Sequence, residues 1–547
     1  MEAFEKELMD GLVLSGISLP LDAEEGEACA LALAECKRMG LPVSRMRFFV
    51  WKRSVDARKK KDVRFVYSVC AQFEEPRALR LPQKSRYALT VWKHHDGDRI
   101  IGNEPMTAPP LVVGMGPAGL FCSLLLAENG YAPIIIDRGD SVSIRRKKHE
   151  EFVQFGILDE ESNIQFGAGG AGTFSDGKLL SRINDSHIGY VLQRFCEFGA
   201  PEEILTAAKP HIGTDLLCGI VDRMLARIEE LGGTVRYRCR MDGLRELPDG
   251  NLLVKTSDGD IECSSMILAP GHSARDTYAM LRRTGFCMEA KSFSVGVRIE
   301  HLQTDIDRAL YGDFAGHPKL GRGEYHLSDT TSGRGVYTFC MCPGGQVVAA
   351  ASEEGGVVVN GMSTYARDGE NANSAVAVSV RPTDFDGTPE GAIAFQRMLE
   401  RAAYREGGSD YFAPIQTVGD FLAEKSGSEP TTVLPTYRDG RVRTADMTRI
   451  LPDFVSAELR RGLLSFDKKL AGFANPCAVL SGVESRTSAP IRILRNEQLT
   501  APGHDRVYPC GEGAGYAGGI TSAAVDGLRV AEHLMARFAP MKGGTDQ

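Results

Sequence analysis

Three glycines and an aspartate carry the first chemical signal in this chain. The segment Leu111-Val112-Val113-Gly114-Met115-Gly116-Pro117-Ala118-Gly119-Leu120 is a GxGxxG loop that follows a short apolar run. Asp137 comes about twenty residues later, at the tip of a second apolar run, Pro133–Ile136. This spacing suits the binding of a dinucleotide through its pyrophosphate. Gly114 permits a tight strand-to-helix turn, Gly116 lets the backbone reach the phosphates with no Cβ in the way, and Gly119 allows close helix–strand packing. Pro117 and Ala118 open the helix, whose N-terminal N–H groups and positive dipole end favour the phosphates. Asp137, with Arg138 beside it, is expected to accept hydrogen bonds from ribose hydroxyls.

Two other glycine strings fit the same pattern. Gly167, Gly169 and Gly172 follow a poor strand, and no acid-tipped second strand comes after them at the right distance. Gly513, Gly515 and Gly518 lie too near the C-terminus for a second strand and acid. The sequence therefore holds one nucleotide fingerprint, and no separate Rossmann domain for a second dinucleotide is expected.

Other residues admit two readings. Cys340-Met341-Cys342 invites a redox disulfide, since alternate residues of a strand share a face, but so small a ring is strained. Two apolar-like strand residues are the plainer reading. His272 is either an acid–base group or a satisfied structural histidine. Lys178, next to Asp176 in a Gly-rich loop, either meets a phosphate or cofactor oxygen or is a solvated loop charge. Arg145, Arg146, Lys147 and Lys148 either reach the pyrophosphate or begin a basic helix.

These groups need elements to position them. A βαβ pattern starts at Leu111, after a linker Gly102–Pro110 that ends in two prolines. A helical run, Leu216–Leu231, leads into a strand, Thr234–Arg238. A β-rich region with hairpin signals follows from Phe293 to about Val380, with Pro343-Gly344-Gly345 read as a hairpin tip. Helices are expected over Glu390–Arg405 and Asp453–Leu470, and the last segment, Arg506–Phe538, reads as strand, Gly-rich loop and helix. Residues 1–100 suggest a ferredoxin-like α+β unit: strand Leu12–Leu19, helix Glu24–Met39, then strands Met46–Trp51 and Val63–Phe73. The basic turn Arg58-Lys59-Lys60-Lys61 is a possible RNA contact, but a solvated hairpin tip is the better reading.

Composition narrows the class. The 547 residues exceed one core, and 43% hydrophobic with 25% charged residues is ordinary for globular protein. No run of eighteen apolar residues and no signal-peptide layout appear, so no membrane span and a cytoplasmic location are expected. Thirteen scattered cysteines show neither a disulfide framework nor zinc spacing, so no metal is expected. A net charge of -8 offers no general attraction to nucleic acid.

The C-terminal run Val507-Tyr508-Pro509-Cys510-Gly511-Glu512-Gly513-Ala514-Gly515-Tyr516-Ala517-Gly518-Gly519-Ile520-Thr521-Ser522-Ala523 resembles the second FAD motif of the glutathione-reductase-type flavoproteins. The resemblance implies that Gly511 and Glu512 hold the ribityl or ribose-side hydroxyls, and that Ala517–Ser522, with Gly519, Ile520 and Thr521, lies along the flavin. Ala269-Pro270-Gly271 resembles the intermediate Ala-Thr-Gly motif, with proline in place of threonine. No CxxxxC follows the fingerprint helix, so the flavin–disulfide mechanism of glutathione reductase is not implied. Asn163–Leu179, which contains Gly169 and Gly170, together with Tyr337–Gly345 and Asn360-Gly361-Met362-Ser363, is similar to an uncharacterised bacterial FAD-dependent dehydrogenase family over nearly the whole chain.

The expected architecture is α/β. A ferredoxin-like unit (1–100) and linker (101–110) precede a Rossmann-type FAD domain built from 111–290 and 501–547, with a β-rich substrate or cap domain (291–500) inserted. The expected activity is hydride transfer between flavin and a small organic substrate, with NAD(P)H as a transient partner. Tyr337, Phe339, Cys340 and Cys342 are candidate substrate residues, through a loose likeness to the Tyr-x-Trp-x-Phe-Pro strand of geranylgeranyl-reductase-type flavoproteins. The alternatives are a flavin-dependent RNA-modifying enzyme and a non-catalytic redox sensor.

Overall fold

A computed structural model describes residues 7–79, 84–93, 99–181 and 183–541 as a mixed α/β chain. It divides into two compact units. One comprises Met1–Asp98 with Pro201–Pro210 and Asp307–Gly323; the other comprises Arg99–Ala200, His211–Ile306 and Glu324–Gln547.

The first unit is an antiparallel sheet in the spatial order Met46–Asp56, Arg64–Leu79, Glu7–Pro20, Ala88–Trp92. The helix Glu25–Arg38 carries acids in its first turn and Lys37 and Arg38 in its last, matching the helix dipole. Its stripe of Ala28, Ala32 and Cys36 closes over Leu12, Leu14, Ile17, Tyr67 and Val69. Phe314 and Leu320, from the segment Asp307–Gly323, pack on the same core. A ferredoxin-like unit carries a second helix between its third and fourth strands. No helix stands there among the described residues, because only residues 80–87 separate the two strands.

The second unit contains two main sheets. One is wholly parallel: Val507–Pro509, Met266–Leu268, Leu111–Val113, Ile134–Ile136, Thr234–Arg236. Its strands are short and almost entirely apolar, as parallel strands covered on both faces are. The helix Pro117–Glu128 is buried nearly all round, which explains why Ser123 is the one polar residue in Leu120–Ala127. The other sheet runs Ser328–Asp329, Val336–Cys342, Asn371–Val380, Phe293–Leu302, Val479–Glu484, Ala413–Thr417, Val442–Thr444. Only its last pair is parallel. This is not the parallel βαβ architecture that a second dinucleotide fold requires.

Two expectations change here. The presumed linker is pinned: Glu104–Pro105 pairs with Phe538–Ala539, Glu104 meets Arg506 and Arg537, and the Thr107 and Ala108 N–H groups donate to Ser264 Oγ. The presumed hairpin at Pro343–Gly345 is also absent. The next strand, Gln346–Ala349, leaves the sheet and pairs with Val359–Met362. Gly344 turns the chain with its backbone against the Arg367 carbonyl, where no side chain fits.

The seven-stranded sheet is centred on Arg298, which is fully buried. Its guanidinium donates to Glu484 (2.8 and 3.2 Å), Asn373 Oδ1 (2.7 Å), Asn360 Oδ1 (3.1 Å) and the Cys340 carbonyl (3.1 Å). These bonds satisfy all five guanidinium N–H groups and join five strands. Arg298→Met is therefore expected to destabilise the protein by about 3–5 kcal/mol, because Glu484 is left buried and unpaired. Urea unfolding measures it, and a loss below about 1 kcal/mol would contradict this account.

Candidate functional site

Four backbone segments converge at the carboxyl ends of the parallel strands: the loop after Val113, Ala269–Gly271 after Leu268, Asp137 after Ile136 and Gly511–Glu512 after Pro509. The glycines of the first loop differ in what surrounds them. A Cβ at Gly114 would stand 2.1 Å from the Ala269 carbonyl oxygen, and one at Gly119 would stand 1.9 Å from the Gly114 oxygen. A Cβ at Gly116 would meet no atom within 4 Å. The first two are folding requirements, whereas Gly116 faces open space at the start of the helix opened by Pro117 and Ala118. That is where helix N–H groups can receive a pyrophosphate.

The Gly-rich loop lies against this one. Gly169 N–H donates to the Met115 carbonyl at 2.8 Å, and Gly170 approaches Gly116 Cα so closely that a Cβ would be 2.9 Å away. Arg145 holds this loop. It is fully buried and donates to the carbonyls of Asn163 (3.0 Å), Ile164 (2.9 Å), Ala168 and Gly170 (3.1 Å). Arg145 does stand in the first turn of a helix, Val142–Phe155, but its guanidinium reaches main-chain carbonyls rather than solvent or an open phosphate site. Burial pushes its pKa down to about 10, against the pull of Asp137.

Asp137 accepts the N–H groups of Met115 and Gly139, both at 2.9 Å, and so spans the fingerprint turn with acceptor capacity to spare. Arg138 pairs with Glu161 and Asp276 at 2.7 Å and lies over the Phe166 ring, so its charge is taken up by protein. Lys178 sits in an ion cluster with Asp176 (2.7 Å) and Glu324 (3.3 Å), joined by Arg367; it is neither a solvated loop charge nor an unpaired cation for a phosphate.

On the far side, Gly511 N–H donates to Asp526 at 2.8 Å, and Asp526 also pairs with Arg495 at 2.7 Å. Asp526 was overlooked in the sequence, although a carboxylate inside the apolar run Ala523–Leu528 marks a buried partner. Glu512 is half-buried, and burial raises its carboxyl to about 7 despite Lys291. Gly271 and Gly513 share Tyr278, whose hydroxyl lies 2.8 and 2.9 Å from their carbonyls. Thr521 donates its hydroxyl to the Leu179 carbonyl at 2.7 Å, while Gly519 is exposed ahead of the helix that begins at Ile520. His272 bonds Ser273 through Nδ1 at 2.9 Å; burial, with Arg486 and Arg275, lowers it to about 4, so it is neutral.

The candidate substrate strand departs from simple alternation. A bulge falls between Phe339 and Cys342, with Cys340 at φ 42°. Cys340 is therefore exposed with Tyr337 and Phe339 partly accessible, while Cys342 is buried and bonds the Cys340 carbonyl. The two cysteines do not share a face. Burial pushes the Cys342 thiol up to about 11, although Arg298 and Lys178 draw it back. A thiol held this high is a poor redox nucleophile.

The open space at Gly116 and the two carboxylates Asp137 and Glu512 suit the phosphates and hydroxyls of FAD. Two outcomes follow. Gly116→Val should fold normally yet purify without flavin absorbance, whereas Gly119→Val should not fold; a yellow Gly116→Val protein would refute the assignment. Glu512, raised in the folded state, stabilises below its unfolded pKa and loses that contribution as pH rises through about 7. Flavin-free Glu512→Gln should therefore gain a few degrees of Tm over the parent at pH 8 and little at pH 4. An equal gain at both would show that Glu512 is not a desolvated acid.

Residues 292–487 match the family described as "FAD-dependent protein, C-terminal domain-like". An uncharacterised protein of Clostridium beijerinckii is 44% identical over 533 residues, covering 96% of this chain and 98% of its own. Among solved structures, the halogenase PltM is 11% identical with a TM-score of 0.36, over 79% of this chain and 71% of its own. Lactococcus lactis thioredoxin reductase is 14% identical with a TM-score of 0.18, over 30% of this chain and 36% of its own. Neither structural likeness is strong enough to bear on function. With the Clostridium beijerinckii protein, this chain belongs to one family of FAD-dependent flavoproteins, and its cofactor is FAD.

Proposed function

We propose that the chain is an FAD-dependent oxidoreductase of the glutathione-reductase type, moving a hydride between the flavin and a small organic substrate. The observation that carries this reading is the convergence of Gly116, Gly170, Gly271 and Gly513 with Asp137 and Glu512 at one edge of the parallel sheet. Ligands of open α/β sheets bind at that edge. In this reading 111–290 and 501–547 form the cofactor domain, 291–500 form the cap, and 1–100 are an added α+β unit, which departs from the ferredoxin-like plan in its second helix, in a cytoplasmic protein.

Bound flavin supplies a centre that accepts and donates hydride. The protein's own groups do the rest. Asp137 and Glu512 hold hydroxyls at opposite ends of the cofactor, and the Gly116 and Gly519 backbones receive it without side chains in the way. Neutral His272, fixed by Ser273, can accept a bond at Nε2 but is too weakly basic to be a general acid at neutral pH. Tyr337, Phe339 and Cys340 offer the accessible side of the cap strand to a substrate; Tyr337 is held by Ser294 at 2.7 Å. Cys342 is buried and drops from that set.

Anaerobic mixing with NADH and NADPH, followed by a panel of organic donors, tests the proposal through bleaching of the flavin absorbance. At least one should reduce the flavin on the timescale of turnover. Phe339→Ala should slow reduction or reoxidation by about tenfold or more with full flavin content, the size of one lost packing contact near 1.4 kcal/mol. Flavin that no donor reduces would overturn the reading in favour of a structural or sensing cofactor.

A further inference from the structure

We propose that the outer face of the four-stranded sheet in the first unit binds single-stranded RNA. This site lies in a different unit from the flavin residues and does not depend on the reading above.

The sheet has one face packed under the helix Glu25–Arg38 and one face that carries aromatic rings. Phe48 and Val50 pack on the inner core. Phe49, which pairs with Cys70, points the other way and is 36% exposed. A register shift between Val50 and Lys52 leaves Trp51 unpaired in a bulge, where it is 44% exposed. Bulges re-aim side chains in this manner. The rings form a chain, with Phe49 6.4 Å from Trp51 and Trp51 6.1 Å from Trp92. Both tryptophans of the protein thus lie on this one face. Exposed apolar side chains are ordinarily scattered, so contiguous large rings mark a contact surface.

Charge identifies the partner. Residues 45–64 contain nine lysines and arginines against two aspartates, in a chain whose net charge is -8. Asp56 is paired with Arg58 and Asp62 with Arg64, so little negative charge is left on the segment. Arg47 and Lys52 share the aromatic face, opposite Gln72 and Ser68. The turn Arg58–Lys61 extends the positive charge past the end of the strands. Unpaired bases stack on exposed rings while phosphates meet flanking cations, and the combination does not depend on sequence. A duplex keeps its base faces stacked within itself and offers nothing to Phe49 or Trp51. The amide of Gln72, on the same face, suits the 2′-hydroxyl of RNA, and the Ser54 and Ser68 hydroxyls, which donate to the Val66 carbonyl and to Ser15 Oγ, keep acceptor capacity for it. The basic turn alone resembled a solvated hairpin tip; the rings beside it make the difference.

The test uses the full flavin-bound chain and a short, labelled single-stranded RNA of mixed sequence. Binding should raise anisotropy, quench tryptophan emission and weaken steeply with salt. Trp51→Ala and Phe49→Ala should each weaken binding about tenfold or more, the expected loss of one base–ring stack. The triple change Lys59→Ala, Lys60→Ala, Lys61→Ala should flatten the log–log salt dependence by about 2. Far-UV circular dichroism and unchanged resistance of the first unit to limited proteolysis show that each variant is folded. The proposal is overturned if both aromatic variants bind as the parent does, or if DNA of the same sequence or duplex RNA binds equally well. It is also overturned if the face proves to hold a second copy of the chain, seen as a dimer that Trp51→Ala dissociates without any effect of RNA.

Discussion

One buried carboxylate holds the two sheets of the second unit in register. Glu400, on the helix Pro389–Glu406, receives Arg275 at 2.8 Å, Arg486 at 3.0 Å and the Ser485 hydroxyl at 2.6 Å. Burial alone would raise its pKa, but Arg486 and Arg275 hold it far below the usual carboxylate range. Arg275 begins the helix that follows the Gly271–His272 turn, and Arg486 follows the strand Val479–Glu484, which also supplies the partner of Arg298. A shift of Glu400 would therefore reach the cofactor edge of one sheet and the centre of the other. A buried charge with two good partners tolerates the loss of neither, since what remains is a desolvated ion without a counter-charge.

The parts of this arrangement that were legible in the sequence are those with a local signature. The fingerprint shows itself because turn, phosphate approach and helix packing each require glycine at a fixed spacing. The helices Thr214–Glu230, Pro389–Glu406 and Asp453–Lys469 fall within a residue or two of their apolar periodicity. What stayed hidden depends on contacts between distant segments. Nothing near Arg145 indicates that four carbonyls of residues 163–170 await its guanidinium. Nothing near Glu104 indicates that Phe538–Ala539 will pair beside it. The Cys340 bulge was hidden for a different reason. Alternation is the default for a strand, and the conformation that breaks it leaves no mark on residue type.

Polar groups in the interior follow the same division. Arg145, Arg298 and Glu400 are each buried and each satisfied by several partners, which is the condition under which such groups specify one packing. Among the described residues, a few buried atoms have no partner, including Asn373 Nδ2 and Ser481 Oγ, which lie on strands flanking Arg298. The network is thus complete around the guanidinium and incomplete at its rim.

The placement of the aromatic residues has a consequence for how unfolding could be observed. Both tryptophans belong to the first unit and the isoalloxazine chromophore to the second, so each compact unit carries its own optical label without engineering. Tryptophan emission would follow loss of the small sheet alone, and release of flavin fluorescence would follow loss of the cofactor edge. Whether those two signals coincide during denaturation asks directly if the units unfold as one cooperative block or in sequence, which is the condition that decides whether a single free energy of unfolding can be assigned to this chain at all.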